Sequence, residues 1–369
     1  MFAVAFVDEL ASGVAPASAP DIAIDLALPA GMTAGAIITA FHGLAWIEAP
    51  LLAWSERVSA RWFSFVSLVV LAVATLGAAA AQSPIALAAC LALYGPASGC
   101  ALAVAEGVLV ESAGASRERT MARVTLAGAL GDLAVPLVIG ALASIGLGWR
   151  TAFVVAGAVS VLLAIMHGAS RGLDRPVPSE DDEEEASLRE TARVALASRG
   201  LVVWSLAGVL VNLLDEVLVA FAAVHLSGLD AQARAIALAS WIGGGLVGLA
   251  WLERRIDTLD ARRVLIVATI VNAGAIAALA LATDAIAASI TLAIVGASAS
   301  TFHPLAKARA YASLPGRPAV VNAAASALLP LDALVPLVLG AIAWRFGASA
   351  SVLALIVAPI GIGLAASRK

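Results

Sequence analysis

Hydrophobic residues occur in long runs along this chain, and short polar clusters separate one run from the next. Because apolar and polar positions do not alternate within a run, the pattern predicts helices and not β-strands. A helix crosses the hydrocarbon core of a bilayer with about 20 apolar residues. Breaks at Pro, Gly and charged residues predict twelve membrane spans. Their limits are 1–18, 31–54, 62–82, 84–111, 121–146, 150–169, 200–226, 233–252, 263–283, 286–309, 320–343 and 348–366.

The composition also indicates a membrane protein. Hydrophobic residues make up 62% of the 369, charged residues make up 13%, and the mean hydropathy is +0.98. A soluble domain carries about 25% charged residues, so this chain has too few polar groups to cover its surface in water. We therefore expect an all-α polytopic membrane protein that has the lipid bilayer as its main solvent.

A long hydrophilic segment divides the chain into two predicted domains. This segment, 170–199, contains an acidic run at 180–185 and is predicted to be a solvated cytoplasmic linker. It separates a first set of six spans in 1–169 from a second set in 200–369.

Basic residues set the predicted orientation. On the twelve-span reading, 19 of the 22 Lys and Arg residues fall on one side, and the other three are Arg150, Arg234 and Arg345. Cytoplasmic loops are enriched in Lys and Arg. The bias predicts a cell inner-membrane protein with both termini in the cytoplasm.

The two halves resemble each other in sequence. Three segment pairs keep the same order: Phe6–Leu10 with Leu213–Val217, Leu52–Arg57 with Leu249–Arg254, and Asp132–Ala143 with Asp332–Ala343. Two six-helix units in the same orientation are a plan of transporters with a central substrate site. The repeats predict two pseudo-symmetric six-helix bundles.

Several motifs resemble bacterial permeases of the major facilitator superfamily. They are YGPASG at 94–99, MARVTLAG at 121–128, GWR at 148–150, PGR at 315–317 and WRFG at 344–347. The resemblance implies a transporter whose spans 1, 4, 7 and 10 line a central cavity. It further implies that spans 2, 5, 8 and 11 flank the cavity and that spans 3, 6, 9 and 12 face outward.

Two family motifs are only partly kept. The loop after span 2 reads WSERVSARW at 54–62 and lacks the family's glycines, although its charges can still form a cytoplasmic latch. The expected cytoplasmic gate residues are Glu56, Arg57, Arg61, Arg123, Glu253 and Arg254. In span 5, Gly128, Gly131, Pro136 and Gly140 keep part of a glycine-rich motif of the family's antiporters. The alternative role for these glycines is close helix packing.

Ionisable and polar residues inside the spans are candidates for binding substrate or protons. The set is Asp8, Glu9, Glu48, Glu106, Asp132, Asn212, Asp215, Glu216, His303, Lys307 and Asp332. A charge at the bilayer centre costs roughly 2.5–3.5 kcal/mol on insertion scales, so such groups face a cavity or a partner. The interiors of spans 3, 6, 9 and 12 hold no carboxylate, which fits a polar pathway through the middle.

Helix geometry limits the directions in which the adjacent acids Asp8 and Glu9, and Asp215 and Glu216, can point. Neighbouring residues lie about 100° apart on a helix, so one acid of each pair is expected to face the cavity. The other then caps or bridges to another helix. Asn212 is predicted to share a face with Glu216, four residues on. A buried carboxyl group keeps its proton to higher pH than one in water, so these acids can couple transport to protons. A structural interhelix bond is the alternative for each acid.

Span 10 carries a stripe of His303, Lys307 and Tyr311 at helical spacing. Lys307 is expected to pair with Glu106, to bind an anionic substrate or to snorkel to the cytoplasm. His303 is a candidate titrating group or a packing residue at the kink before Pro304. Asp132 and Asp332 are expected to be symmetric gate or packing residues.

Other function classes lack a signature in this sequence. It contains neither a Gly-Lys-Ser/Thr phosphate loop nor a His-rich metal motif, and Cys90 and Cys100 lie about 15 Å apart on one predicted helix. No enzyme activity, cofactor, metal or nucleic-acid partner is expected.

The expected function is secondary active transport of a small organic solute by a monomer with rocker-switch alternating access. Proton-coupled export is favoured by the partial span-5 motif, with proton-coupled uptake or facilitated diffusion as alternatives. A non-transporting membrane sensor or scaffold on the same fold is the alternative of another class.

Overall fold

The computed structural model describes residues 1–55, 58–113, 117–170, 197–255, 258–314, 321, 324 and 328–368. Its regular elements within these residues are helices. The α-helices are α1 (Phe2–Ser12), α2 (Val14–Ala17), α3 (Ala19–Asp25), α4 (Ala30–His42), α5 (Glu48–Ser55), α6 (Ala60–Ala80), α7 (Pro84–Ala113), α8 (Arg117–Ser144), α9 (Trp149–Ala169), α10 (Arg199–Asn212), α11 (Glu216–His225), α12 (Ala231–Arg255), α13 (Ala261–Leu281), α14 (Ala285–Ala299), α15 (Phe302–Ser313), α16 (Leu329–Phe346), α17 (Ala348–Ala354) and α18 (Val357–Ser367).

The chain divides into two compact units. The first comprises Met1–Leu28 and Ala36–Asp182, and the second comprises Pro29–Gly35 and Glu183–Lys369. Residues 171–196 of the predicted linker lie outside the described residues. The boundaries 1–169, 170–199 and 200–369 stay a prediction.

Nine helices among the described residues are long and apolar enough to cross a membrane, or ten if the bent pair Phe2–Ala17 and Ala19–Asp25 forms one span. The predicted count of twelve is therefore not fully confirmed. Predicted span 31–54 is divided into α4 and α5 by a turn and the short 3-10 helix Ala45–Ile47. Most of the first half of predicted span 320–343 lies outside the described residues. The first span is predicted to end at 18, whereas the helical segment that begins there continues to Asp25 after a bend of 57°.

Prolines explain several helix breaks. A proline cannot donate a hydrogen bond to the carbonyl four residues before it, and its ring crowds that carbonyl. The matching pairs are Ser12 with Pro16, Ser300 with Pro304, and Leu355 with Pro359. Each first member ends a helix or directly follows its last residue. Proline thus favours these three break positions, although α7, α8 and α16 continue through Pro96, Pro136 and Pro336.

The first unit packs α6 between α7 and α9, and α1 against α8. Ser64 of α6 and His167 of α9 form a buried 2.9 Å hydrogen bond between their side chains. The opposite side of α6 presents Val66 and Val73 to the outside, with exposed fractions of 47% and 59%. In a membrane protein, such an apolar outer face contacts lipid.

The second unit packs α12 and α13 against α14, and α10 against α15 and α18. Asn272 of α13 donates a buried hydrogen bond to Ser298 Oγ of α14 at 2.9 Å. Gly296 of α14 lies so close to α12 that an added methyl group would meet the Trp241 carbonyl. Small residues and buried hydrogen bonds hold helices together where lipid provides no hydrophobic drive.

Arg150, at the start of α9, holds one end of the first unit together. Its guanidinium donates to Asp25 Oδ2 at 2.7 and 3.1 Å and to the carbonyls of Ala79 and Ala81 at 2.8 and 2.6 Å. Those carbonyls lie at the end of α6, where a helix leaves its last acceptors unpaired. One side chain therefore joins α3, α6 and α9.

Replacement of Arg150 by Gln is expected to destabilise the protein by about 1–2 kcal/mol, because it removes the ion pair with Asp25 and the hydrogen bonds to the carbonyls of Ala79 and Ala81. Thermal unfolding of the purified protein in detergent measures this. Arg263→Gln is the matched control, since its pair with Asp260 spans 3.7 Å between exposed side chains and contributes about 0–0.5 kcal/mol. Equal melting temperatures for Arg150→Gln and Arg263→Gln would contradict the assignment.

Candidate functional site

Asp8 is a carboxylate enclosed by the first bundle. It lies on α1, and only 7% of its surface is exposed. The Tyr94 hydroxyl of α7 lies 3.0 Å from Asp8 Oδ1 and 2.7 Å from the Asp8 carbonyl oxygen. Ser98, one turn further along α7, also hydrogen-bonds the Asp8 side chain. The site thus supplies donors from a neighbouring helix in place of water.

Glu48 is a second carboxylate of the same site. It starts α5, is half-buried and interacts electrostatically with Asp8. Its carboxyl group lies directly against Gly99 of α7, where a Cβ would collide with it. The absence of a side chain at Gly99 therefore leaves the space that the carboxyl group occupies. Tyr94, Ser98 and Gly99 come from the YGPASG motif, which makes the motif the wall of this acid pair.

Glu9 points to a different helix from Asp8. A Cβ at Gly128 of α8 would lie 3.4 Å from Glu9 Cγ, and one at Gly131 would lie 3.0 Å from Glu9 Cβ. The two neighbouring acids thus contact α7 and α8 separately, as their angular separation on α1 requires. The glycines of the span-5 motif serve here as a close-packing surface for α1.

Asp215 lies at a break in the seventh span. Helix α10 ends at Asn212 and α11 begins at Glu216, and Asp215 between them has φ −111° and ψ −126°. Its side chain is exposed and Glu216 is half-buried, near the middle of the 30-residue span Arg199–Gly228. The break has no proline or glycine within 213–219, so sequence reasoning missed it.

The break overturns the predicted shared face of Asn212 and Glu216, because no continuous helix joins them. Asn212 instead donates a 3.1 Å hydrogen bond to Asp332 Oδ2 of α16. Asp332 is 6% exposed, and its Oδ1 has no hydrogen-bond partner among the described residues. No local signal pairs residues 120 positions apart.

His303, Lys307 and Tyr311 all lie on α15, which starts just after the break at Ser300 and Thr301. His303 and Lys307 are exposed and interact electrostatically with each other, and Tyr311 is half-buried. Tyr311 packs on the cluster of Leu201, Ala310 and Val321. The predicted stripe therefore exists on α15, whereas the pairing of Lys307 with Glu106 stays a prediction.

The remaining candidates are distributed over both units. Glu106 of α7 and Asp132 of α8 are half-buried. Of the proposed gate residues, Arg61 is half-buried, whereas Arg123, Glu253 and Arg254 are exposed. Glu56 and Arg57 lie outside the described residues. Within the part of the chain that the structure describes, no group of three or more His, Cys, Asp or Glu side chains is arranged to hold a metal ion.

Comparison with known proteins identifies the architecture. The family model described as Major Facilitator Superfamily matches residues 1–331. A search of curated proteins found no match. Among solved structures, a bacterial homolog of the human lysosomal transporter Spinster aligns with a TM-score of 0.76 at 16% identity, covering 99% of this chain and 95% of that one.

Two further structures align over nearly their whole lengths. The nucleoside transporter NupG has a TM-score of 0.76 at 13% identity, with 99% of this chain and 98% of that one covered. The human organic anion transporter MFSD10 has a TM-score of 0.64 at 16% identity, with 99% and 97% covered. At these identities the likeness concerns the fold alone. The comparisons confirm the predicted resemblance and the all-α membrane fold.

We expect Gly99→Ala to be less stable than Gly107→Ala by roughly 0.5–1.5 kcal/mol, because the added methyl group forces the Glu48 carboxyl group, at the end of a flexible side chain, out of its position. Gly107→Ala on the same helix is the matched control, since a Cβ there meets no described atom within 4 Å. Alanine favours a helix by about 1 kcal/mol over glycine, so the control is expected to be neutral or stabilising. Thermal unfolding compares the two, and a Gly99→Ala protein as stable as Gly107→Ala would refute the contact.

The bond between Asn212 and Asp332 is tested by a double-mutant cycle of Asn212→Ala and Asp332→Ala. Asn212→Ala alone is expected to cost about 1–3 kcal/mol, because it leaves a buried carboxyl group without its donor. The coupling energy from unfolding midpoints is expected to exceed about 0.5 kcal/mol. Gln82→Ala, at an exposed loop position, is the control, and additive single effects would argue against the bond.

Proposed function

Because the chain belongs to the Major Facilitator Superfamily, and is therefore a multi-pass membrane transporter and not an enzyme, we propose that it exports a small organic solute in exchange for protons. The observation that carries this proposal is the carboxyl pair of Asp8 and Glu48 within the first bundle. Transport proceeds by rocker-switch alternating access, in a monomer of the inner membrane with both termini in the cytoplasm.

The acid pair supports proton coupling through its surroundings. Two carboxyl groups that interact electrostatically in an apolar interior carry one negative charge more readily than two. Tyr94 and Ser98 stabilise the charged state of Asp8 with hydrogen bonds. A pair that alternates between one and two protons can bind a proton on one side and release it on the other.

The breaks in the spans support a path for the solute. Transporters often bind substrate where membrane helices are interrupted, because free backbone groups and helix ends are tolerated next to a polar cavity. Here Asp215 lies at the break between α10 and α11, and His303 follows the break between α14 and α15. Both side chains are exposed, and exposure to hydrocarbon would be costly for them. We assign Asp215, Glu216, His303 and Lys307 to the solute path.

The partial span-5 motif, which resembles a motif of the family's antiporters, favours export over uptake. Gly128 and Gly131 let α1 approach α8 at Glu9, one residue from Asp8. A close contact here can transmit the protonation of the acid pair to the packing of the span-5 helix. In the alternative, proton-coupled uptake, the same acids carry protons inward and the solute moves inward with them.

Proteoliposome transport tests the proposal with a solute that a thermal-shift screen of purified protein selects. One pH unit across the membrane corresponds to about tenfold accumulation for one proton per cycle. Asp8→Asn is expected to abolish this accumulation and to retain solute counterflow within about twofold, because the amide keeps hydrogen bonds but cannot release a proton. Asp230→Asn, at an exposed helix cap, is the control and should accumulate like the wild type.

The outcomes separate the alternatives. If the protein exports its solute, the solute is expected to accumulate in vesicles that have the cytoplasmic face of the protein outward and an acidic lumen. If it takes the solute up, the solute is expected to accumulate in vesicles that have the cytoplasmic face inward and an acidic exterior. Equilibration with no dependence on the pH gradient would indicate facilitated diffusion. Binding without flux for every selected solute would indicate a sensor or scaffold and would overturn transport by this site.

A further inference from the structure

A cavity of about 480 Å³ opens at one end of the second unit. It lies where α10 and α13 begin and where α15 and α18 end, and it is independent of the acid sites described above. Four arginines line it: Arg199, Arg262, Arg309 and Arg368. We call it the arginine cavity.

The arginine cavity is strongly cationic. Its lining among the described residues includes no Asp or Glu. The neighbouring acid Asp260 is turned to the start of α13, where it accepts the Arg262 backbone N–H at 2.9 Å and pairs weakly with Arg263. Four like charges around one cavity repel one another, and an anion within it relieves this repulsion.

Arg262 is held in place on the cavity wall. Its Nε donates to the Ala366 carbonyl at 3.0 Å and its Nη2 to the Ser367 carbonyl at 2.6 Å, in the last turn of α18. A guanidinium fixed in this way presents its remaining N–H groups in a set geometry, and planar guanidinium groups recognise phosphate by paired hydrogen bonds. Arg199, Arg309 and Arg368 are exposed and can close on a bound anion.

Apart from Gly200 and Ser313, the rest of the wall is apolar, and exposed apolar residues lie nearby on two of the helices that line the cavity. Trp204, Leu265 and Ala365 line it beside the arginines. On the two helices that frame it, Val267 and Leu364 are both 60% exposed, within a turn or so of lining residues. An anion that carries hydrocarbon chains can therefore place its charge in the cavity and its chains along α13 and α18.

We propose that the arginine cavity binds the phosphate headgroup of an anionic phospholipid from the adjoining leaflet. Basic pockets between membrane helices on the cytoplasmic side are suited to such headgroups, and this end is the predicted cytoplasmic end. The lipid links the start of α10 to the ends of α15 and α18. It is a site apart from the solute path, and its existence does not depend on the direction or coupling of transport.

Lipid titration followed by native mass spectrometry tests the proposal on the full-length protein in detergent. Phosphatidylglycerol is expected to bind at least about tenfold more tightly than phosphatidylcholine, and to raise the melting temperature. The double variant Arg199→Gln and Arg309→Gln is expected to lose this preference by about tenfold or more, since each arginine contributes to headgroup attraction. Arg199→Lys with Arg309→Lys should restore part of the affinity.

Arg255→Gln with Arg263→Gln is the matched control, because it removes two exposed arginines that do not line the cavity. An equal loss of phosphatidylglycerol binding in this control would show general surface attraction and would overturn the proposal. Inorganic phosphate is the second arm. If it competes as effectively as phosphatidylglycerol at equal concentration, the cavity is a site for free phosphate and the lipid assignment is wrong.

Discussion

A carboxyl group inside the hydrocarbon layer must find its hydrogen-bond donors within the protein, because lipid has none. The bond from Tyr94 to Asp8 shows how this chain meets the constraint. The donor sits on α7 and the acceptor on α1, so the polar contact also fixes the packing of the two helices. The same applies to Asn212 and Asp332 and to Asn272 and Ser298. Polar pairs of this kind serve as structural links even where we also assign them a role in transport.

Glycine residues allow the close helix approach that these hydrogen bonds require. The hydrogen-bonding groups reach each other only if the helix backbones approach closely. Gly99 leaves space for the Glu48 carboxyl group, and Gly131 lets α8 approach the backbone of α1. The glycines of the motifs that resemble the family's thus have a physical role: a side chain at Gly99 would displace the Glu48 carboxyl group, and one at Gly131 would push α8 away from α1.

The charged ends of the helices follow a different rule from their interiors. At one end of the first unit, Arg150 satisfies the last carbonyls of α6 while it pairs with Asp25. In the second unit, Arg262 likewise donates to carbonyls in the last turn of α18, but three further arginines lie around it and the described residues of the cavity wall include no carboxylate. That imbalance is what distinguishes a binding cavity from a helix cap.

Much of this architecture was determined by the sequence itself. Apolar run length required membrane helices, and prolines at 16, 304 and 359 favoured breaks four residues upstream, because both effects depend on residues that are neighbours in the chain. The angular offset of Asp8 and Glu9 likewise follows from local helix geometry. Only the tertiary structure decided four other features. They are the break at Asp215, the hydrogen bond from Asn212 to Asp332, the contact of the Glu48 carboxyl group with Gly99, and the cavity lined by four arginines. Apart from the break at Asp215, for which the chain gives no local signal, these features join groups far apart in the chain, and the sequence does not state which helices become neighbours.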